Sequence, residues 1–170
     1  VTTFHSGGAG ARPGLDGLSA TPFPSGVRNV PVGITETIAP VVIWKKESRP
    51  DSGGAGEHRG GLGQVMEVEH REGAPFGIFA TFERVKHPAR GRDGGKNGGN
   101  GRLSLASGTE LKAKGFQTIP AGDRLVVEMP GGGGFGDPKK RDRKKVERDV
   151  RLGLVSKEQA KSAYGLEGDD

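Results

Sequence analysis

The chain has 170 residues, 26 of them basic and 21 acidic, for a net charge of +5. Glycine fills 32 positions and proline 11, while aromatic residues make up 5% and the whole apolar set 31%. That composition touches the disordered range and leaves apolar side chains for a modest core only. The chain has no cysteine, which excludes a disulfide scaffold, a zinc ribbon, a thiol nucleophile or an iron–sulfur cluster, and suits a cytoplasmic protein. No apolar run approaches the ~18 residues of a membrane-spanning helix. Nothing at the start reads as a signal peptide, and the glycines do not recur at every third position as in collagen. The opening Val1-Thr2-Thr3-Phe4-His5 reads like the middle of a domain, so the chain is expected to be a piece of something larger.

Residues 1–36 are dense in glycine and proline and read either as an ordered irregular wrap or as a segment that orders only against other protein. Val41-Val42-Ile43-Trp44 is β-branched and follows Pro40, which predicts the first strand. Gln64 to His70 alternates, with Met66, Val68 and His70 on the core side. Gly77 to Val85 predicts another strand, which brings Phe79 near Phe82 only through a bulge or an edge. Residues 86–101 form a long loop. Leu103-Ser104-Leu105 and Glu110-Leu111-Lys112 flank Ser107-Gly108, a hairpin signal. Asp123 to Met129 is the last strand.

The tail changes period. Asp142 predicts the cap of a helix running to Leu152, with Val146 and Val150 on one face and Gly153 as its stop. Ser156 and Gln159 predict a capping box for a second helix ending at Gly165. The expected fold is therefore mainly β with irregular glycine-rich loops, an antiparallel sheet, sandwich or barrel-like, plus a C-terminal helical hairpin. The expected division is a glycine-rich β domain over 1–138 and the hairpin over 139–170.

The positive balance sits in one place. Lys139 to Arg151 holds eight basic residues against Asp142, Glu147 and Asp149, and the rest of the chain is even at 18 of each sign. This stretch contains no aromatic residue, whereas surfaces that bind single-stranded nucleic acid mix cations with stacking rings. It reads as a solvated helix face, with an acidic patch on a partner as the sharper reading; nucleic-acid binding rests on a pI of 9.6 alone.

Chemistry is sparse. Ser-Gly-Gly-Ala-Gly occurs at 6–10 and 52–56, each followed by an arginine, Arg12 and Arg59. Such runs can form anion nests, but tight turns with positive φ are the plainer reading. Pro130 to Asp137 lacks the Gly-Lys-Ser/Thr of a phosphate loop and reads as a chain crossing. The histidines at 5, 58, 70 and 87 show no helical metal spacing; His5 with Asp16 is the one ligand pair that folding could make. Ser25 lies in a turn, and no nucleophile elbow is present. No metal site and no catalytic residue is assigned from these patterns.

The ordered motifs carry more. Gly7-Gly8-Ala9-Gly10-Ala11-Arg12-Pro13, Asp16-Gly17-Leu18, Phe23-Pro24-Ser25-Gly26, Arg28-Asn29-Val30-Pro31-Val32 and Glu36 come first. Glu47 to Asp51, Ser52-Gly53-Gly54-Ala55-Gly56 and Arg59-Gly60-Gly61-Leu62-Gly63 follow. Pro130 to Pro138, Arg141-Asp142, Asp149-Val150, Gly153 to Ser156 and Tyr164-Gly165 complete the set. This series resembles the C-terminal portion of a hydantoinase B / 5-oxoprolinase family subunit, a family also related to acetone and acetophenone carboxylase subunits.

The resemblance implies a multi-subunit enzyme that activates a carbonyl by phosphorylation, to hydrolyse a cyclic amide such as hydantoin or 5-oxoproline or to carboxylate a ketone. It implies two partners, a hydantoinase A-like subunit that binds ATP and Mg and the remainder of the hydantoinase B-like subunit, in a hetero-oligomer without nucleic acid or membrane. A divalent metal, where one is used, is expected elsewhere in the complex. This chain alone is expected to be inactive. His5, Arg12, Asp16 and Arg59 are the candidate site-lining residues. A non-catalytic assembly role is the alternative. Gly33 stands where similar sequences commonly carry a glutamate, so a network anchored there would be altered.

Overall fold

A computed structural model describes residues 2–21 and 30–166. The Phe23 to Gly26 motif, with Ser25, and Arg28-Asn29 lie outside the described residues. The elements in chain order are α1 (Val32–Ile38), β1 (Val41–Ser48), β2 (Gln64–His70), β3 (Phe76–Thr81), β4 (Arg102–Leu105), β5 (Lys114–Ile119), β6 (Leu125–Glu128), a 3-10 turn (Pro138–Lys140), α2 (Arg143–Arg151) and α3 (Lys157–Tyr164).

Two open antiparallel sheets result, so the barrel-like expectation is corrected. One has the order β1-β2-β6-β4 and the other pairs β3 with β5. The period-2 pattern explains both. Met66, Leu105, Leu125 and Val127 from the first sheet, with Met129 just past β6, meet Ile119 of the second in one buried cluster, with Val68, Phe76, Ile78 and Phe82 packed on it. Phe79 and Phe116, directly opposite in register, point the other way and stay exposed. Phe82 lies just past the end of β3 and turns inward, which separates it from Phe79. A register shift between Ile43 and Lys45 sets Trp44 outward, where it donates from Nε1 to Glu69 at 2.6 Å and lies under the Arg124 guanidinium.

Two elements differ from the sequence expectation. Residues 32–36, read as part of the wrap, belong to α1. The helix has no buried residue and is tied to the sheet by Glu36, which accepts from the Ile43 amide at 2.8 Å. Residues 114–119 form β5, which alternates too weakly in sequence to stand out, with Gly115 at φ +93° and Gln117 on the inner side.

The glycine-rich stretches are regular. Gly131 and Gly134 donate to the carbonyls of Gly99 and Lys96; Gly132 and Phe135 donate to those of Gly61 and His58; Pro130 and Gly133 accept from Gly8 and Ala11. Each neighbour is thus met at every third residue. Three residues per turn with no internal ladder is the geometry of polyproline II. Segment 130–136 is the central rod of a bundle whose outer rods are 7–11, 52–56, 59–63, 89–92 and 95–101; 59–63 folds back on 52–56, with Gly60 donating to Gly54, and 95–101 folds back on 89–92 through the turn at Asp93-Gly94, with Gly98 donating to Ala89. Glycine is required because the rods touch backbone to backbone: a Cβ on Gly131 would overlap the Ser52 carbonyl, and one on Gly132 the Ala9 carbonyl.

The helical hairpin docks on this bundle. Asp142 caps α2 by accepting from the Lys144 amide at 2.9 Å, and Ser156 caps α3 by accepting from the Gln159 amide at 3.0 Å. The capping box is completed by another residue than expected: Asp51, not Gln159, accepts from the Ser156 amide at 2.8 Å. Val146, Val155, Ala160 and Tyr164 bury against Ala55 of an outer rod.

Candidate functional site

Among the described residues, the expected site residues fall in or beside two clusters. The first is a buried ionic network where the rods meet the hairpin. Arg141 reaches both oxygens of Asp16 at 2.7 Å and Asp149 at 2.9 Å. Arg59 donates from Nε to the same Asp149 oxygen at 3.0 Å, and its amide donates to Asp16 at 2.8 Å. Arg141, Asp149 and Arg59 are buried; Asp16 is half-buried.

Burial alone would raise the Asp16 carboxyl, but the Arg141 fork and the Arg59 amide outweigh it and hold the group below its ordinary range. Burial would lower the Arg141 guanidinium, and the two carboxylates more than reverse this. The Tyr164 ring lies 6.0 Å from the guanidinium carbon, and burial pushes its hydroxyl up to about 12. Every charge here is matched, and the bidentate fork fixes one geometry. The arrangement locks three chain segments together. It presents no open anion to a ligand.

The second place is a groove of about 230 Å³ between β1, β2 and the start of the chain. His5 stands in it with Nδ1 2.9 Å from the Met66 sulfur, Nε2 3.0 Å from the Thr3 hydroxyl, and its ring stacked near Phe82. Burial, with the Lys46 charge adding to it, lowers His5 to about 4. Phe4, Ile34, Ile38 and Ile43 supply apolar walls, and Lys46 a cation that donates to the Val30 carbonyl at 3.1 Å. A neutral imidazole and an ammonium over an apolar wall suit a small carbonyl compound better than a phosphate.

Of the four expected site-lining residues, the structure brings Asp16 and Arg59 together in the network. His5 is in the groove, and the Asp16 carboxylate is committed to Arg141, so the His5–Asp16 ligand pair does not form. Arg12 is exposed on the Arg12–Leu15 turn, whose Gly14 amide donates to His58 Nε2 at 3.0 Å. Arg141 and Asp149 were missed as site residues. They sit inside the basic run, where composition masks them. The signal was the helix stripe: Asp149 shares a face with Val146 and Val150, three residues from the first and next to the second.

The described residues do not fit a nucleotide or its metal. No group of three or more His, Asp or Glu that could hold a cation occurs among the described residues. The amides of Gly8, Gly54, Gly60, Gly61, Gly131, Gly132 and Gly134 are all donated to carbonyls of neighbouring rods. The glycines of both Ser-Gly-Gly-Ala-Gly runs are absent from the positive-φ positions, which corrects both the nest and the tight-turn reading. No helix among the described residues is long and apolar enough to cross a membrane.

Open antiparallel sheets joined to a glycine-rod bundle and closed by an ion-latched hairpin define one structural class. The hydantoinase B/oxoprolinase family matches residues 1–138, and the chain belongs to it. Caprolactamase subunit beta of Pseudomonas jessenii is 35% identical over 170 residues, which cover 94% of this chain and 29% of that protein. 5-oxoprolinase 1 of Arabidopsis thaliana is 36% identical over 135 residues, 76% of this chain and 10% of that one. The crystal structure of the ATP-dependent caprolactamase from P. jessenii superposes over 96% of this chain and 30% of its own with a TM-score of 0.81 and 32% identity. Nucleotide-free acetone carboxylase covers 96% of this chain and 26% of its own at a TM-score of 0.71 and 22% identity, a likeness of fold. The chain thus spans less than a third of each relative.

Proposed function

We propose that this chain is part of a hydantoinase B-type subunit of a multi-subunit, ATP-dependent enzyme that opens a cyclic amide. The observation that carries the reading is the 35% identity to caprolactamase subunit beta along 94% of the chain. Ketone carboxylation is the weaker branch, because the acetone carboxylase likeness extends to the fold only. A lactam carbonyl is a poor electrophile; phosphorylating its oxygen turns that oxygen into part of a leaving group before water attacks. ATP and Mg are assigned to a hydantoinase A-like partner, in keeping with the poor fit of this chain's residues to either. The groove beside His5 is where this chain would meet the reacting ring, and Arg12 is the exposed arginine to test with it.

A second reading, an assembly role without chemistry, is favoured by one observation: Asp16 and Arg59 are consumed in a structural latch. Co-expression of the full subunit with its hydantoinase A-like partner separates the two. ADP release is measured with caprolactam, 5-oxoproline, hydantoin and acetone. Cyclic-amide-dependent ADP release that His5→Gln abolishes in an intact complex supports the site role. Unchanged turnover in that variant supports the assembly role. ADP release with acetone alone, or with no substrate of either class, overturns the cyclic-amide reading.

A further inference from the structure

Asn97-Gly98 and Asn100-Gly101 fall in the outer rod 95–101. Asparagine followed by glycine is the sequence most open to succinimide formation, because glycine puts no side chain in the path of its own nitrogen. In that reaction the glycine amide loses its proton to water or hydroxide and attacks the asparagine Cγ. The N–Cγ bond forms, the Cγ–Nδ2 bond breaks, and ammonia leaves. Water then opens the ring at either carbonyl, to aspartate or isoaspartate.

Both asparagine side chains are exposed to the water that the reaction needs. Both attacking nitrogens are nevertheless held. The Gly98 amide donates to the Ala89 carbonyl at 2.9 Å and the Gly101 amide to the Arg84 carbonyl at 3.0 Å. Both side chains are held as well: Asn97 Oδ1 accepts from the Gly91 amide at 3.0 Å, and Asn100 Nδ2 donates to the Val85 carbonyl at 2.7 Å. Gly98 is also pressed on the central rod, where a Cβ would overlap the Gly131 carbonyl, so its peptide plane cannot swing toward Cγ without parting the rods. Attack requires a broken hydrogen bond at the nucleophile, a second at the electrophile, and a rotated backbone.

We infer that Asn97 and Asn100 are latent modification sites, held inert by the bundle and released when rod 95–101 leaves it. The modification is then one-way. Isoaspartate at position 97 adds an atom to the main chain between Lys96 and Gly99, which breaks the three-residue register that Gly134 and Gly131 keep with them. A rod that carries isoaspartate at position 97 cannot return to its place.

The test is peptide mapping of the full chain incubated at mildly alkaline pH, with a synthetic peptide of residues 96–102 as the unstructured reference. The same incubation is repeated across a urea series. The reaction should follow the open population, so both sites in the folded chain should convert more than about 100-fold slower than in the peptide. The rate should climb to the peptide's as urea unfolds the chain. Conversion in the folded chain at the peptide's rate would overturn the inference, and so would slow conversion that urea leaves unchanged.

Discussion

Gly131→Ala tests the rod bundle at its tightest contact. The new Cβ would overlap the Ser52 carbonyl, with the Gly53 nitrogen 2.8 Å away. Both obstacles are backbone, so no side-chain rotation relieves them. Forced overpacking costs about 1–3 kcal/mol. Shifting Ser52 also strains two buried hydrogen bonds, Gly131 to Gly99 at 3.0 Å and Gly99 to Ser52 at 2.7 Å, at roughly 1 kcal/mol each. The sum is about 4 kcal/mol, a large part of the ~5–15 kcal/mol typical of a whole domain. At ~2–4 °C per kcal/mol for a chain of this size, the melting temperature should fall by about 8–16 °C. Gly33→Ala is the matched control. Gly33 lies in α1 with nothing within 4 Å of its Cβ direction, and alanine there should stabilise the helix by ~0.5–1 kcal/mol. Thermal unfolding followed by circular dichroism reads both variants. A Gly131→Ala melting temperature within about 3 °C of the parent would refute backbone contact as the reason for the glycines.

Arg141→Ala removes three charge-assisted bonds and leaves Arg59 alone to balance Asp16 and Asp149, at about 3–5 kcal/mol; hydrogen exchange should show α2 and α3 losing protection before the sheets. Asp16, held below its ordinary value, contributes stability above about pH 3.8 that is lost as pH falls through its lower folded value. Acid titration of Asp16→Asn should therefore lose the steepest part of the unfolding below that pH. His5 is lowered from 6.5 to about 4, so the unfolded chain takes the proton first and stability declines as pH falls from 6.5 towards 4. A parent and a His5→Gln variant with identical pH profiles in that window would contradict the buried, neutral imidazole. The hairpin exposes nine Lys and Arg between Lys139 and Lys161 against Asp142, Glu147 and Glu158, and none of the nine is in an ion pair among the described residues. Assembly with an acidic partner should weaken with salt and fail in a Lys144→Glu, Arg148→Glu, Arg151→Glu triple variant; salt-independent assembly by native mass spectrometry would place the partner elsewhere.

The strands from Gln64 to His70 and from Leu125 to Glu128 were legible because a sheet face with one buried side imposes alternation, and Met66, Val68, Leu125 and Val127 display it. Both C-terminal helices were legible from caps, since Asp142 and Ser156 are local signals. The rods were not. A glycine segment has no side-chain pattern, and its three-residue period exists only in the bonds it makes to other segments. Much the same applies to the site. Asp16 and Arg59 were drawn from motifs, but what they do depends on Arg141 and Asp149, more than eighty residues further along. Separation of that length is invisible to local pattern reading, and the surrounding lysines make both partners look like surface.

The scarcity of apolar residues and the abundance of glycine have a common physical origin. The apolar side chains divide into two clusters, one between the sheets and one under the hairpin, and the rods lie between these with almost no side chains of their own. Their cohesion comes from backbone hydrogen bonds at 2.7–3.1 Å and from contact of main chain with main chain. Such a bundle offers a docking element little to grip. The hairpin accordingly holds it where side chains exist: at Ala55 by apolar contact, and at Arg59, the Glu57 carbonyl and Asp16 through Arg141 and Asp149. Oil alone could not fix the hairpin's orientation on so small a patch, whereas a bidentate fork can. The buried ions are thus a consequence of the glycines, and their loss should free the hairpin while leaving the rods assembled.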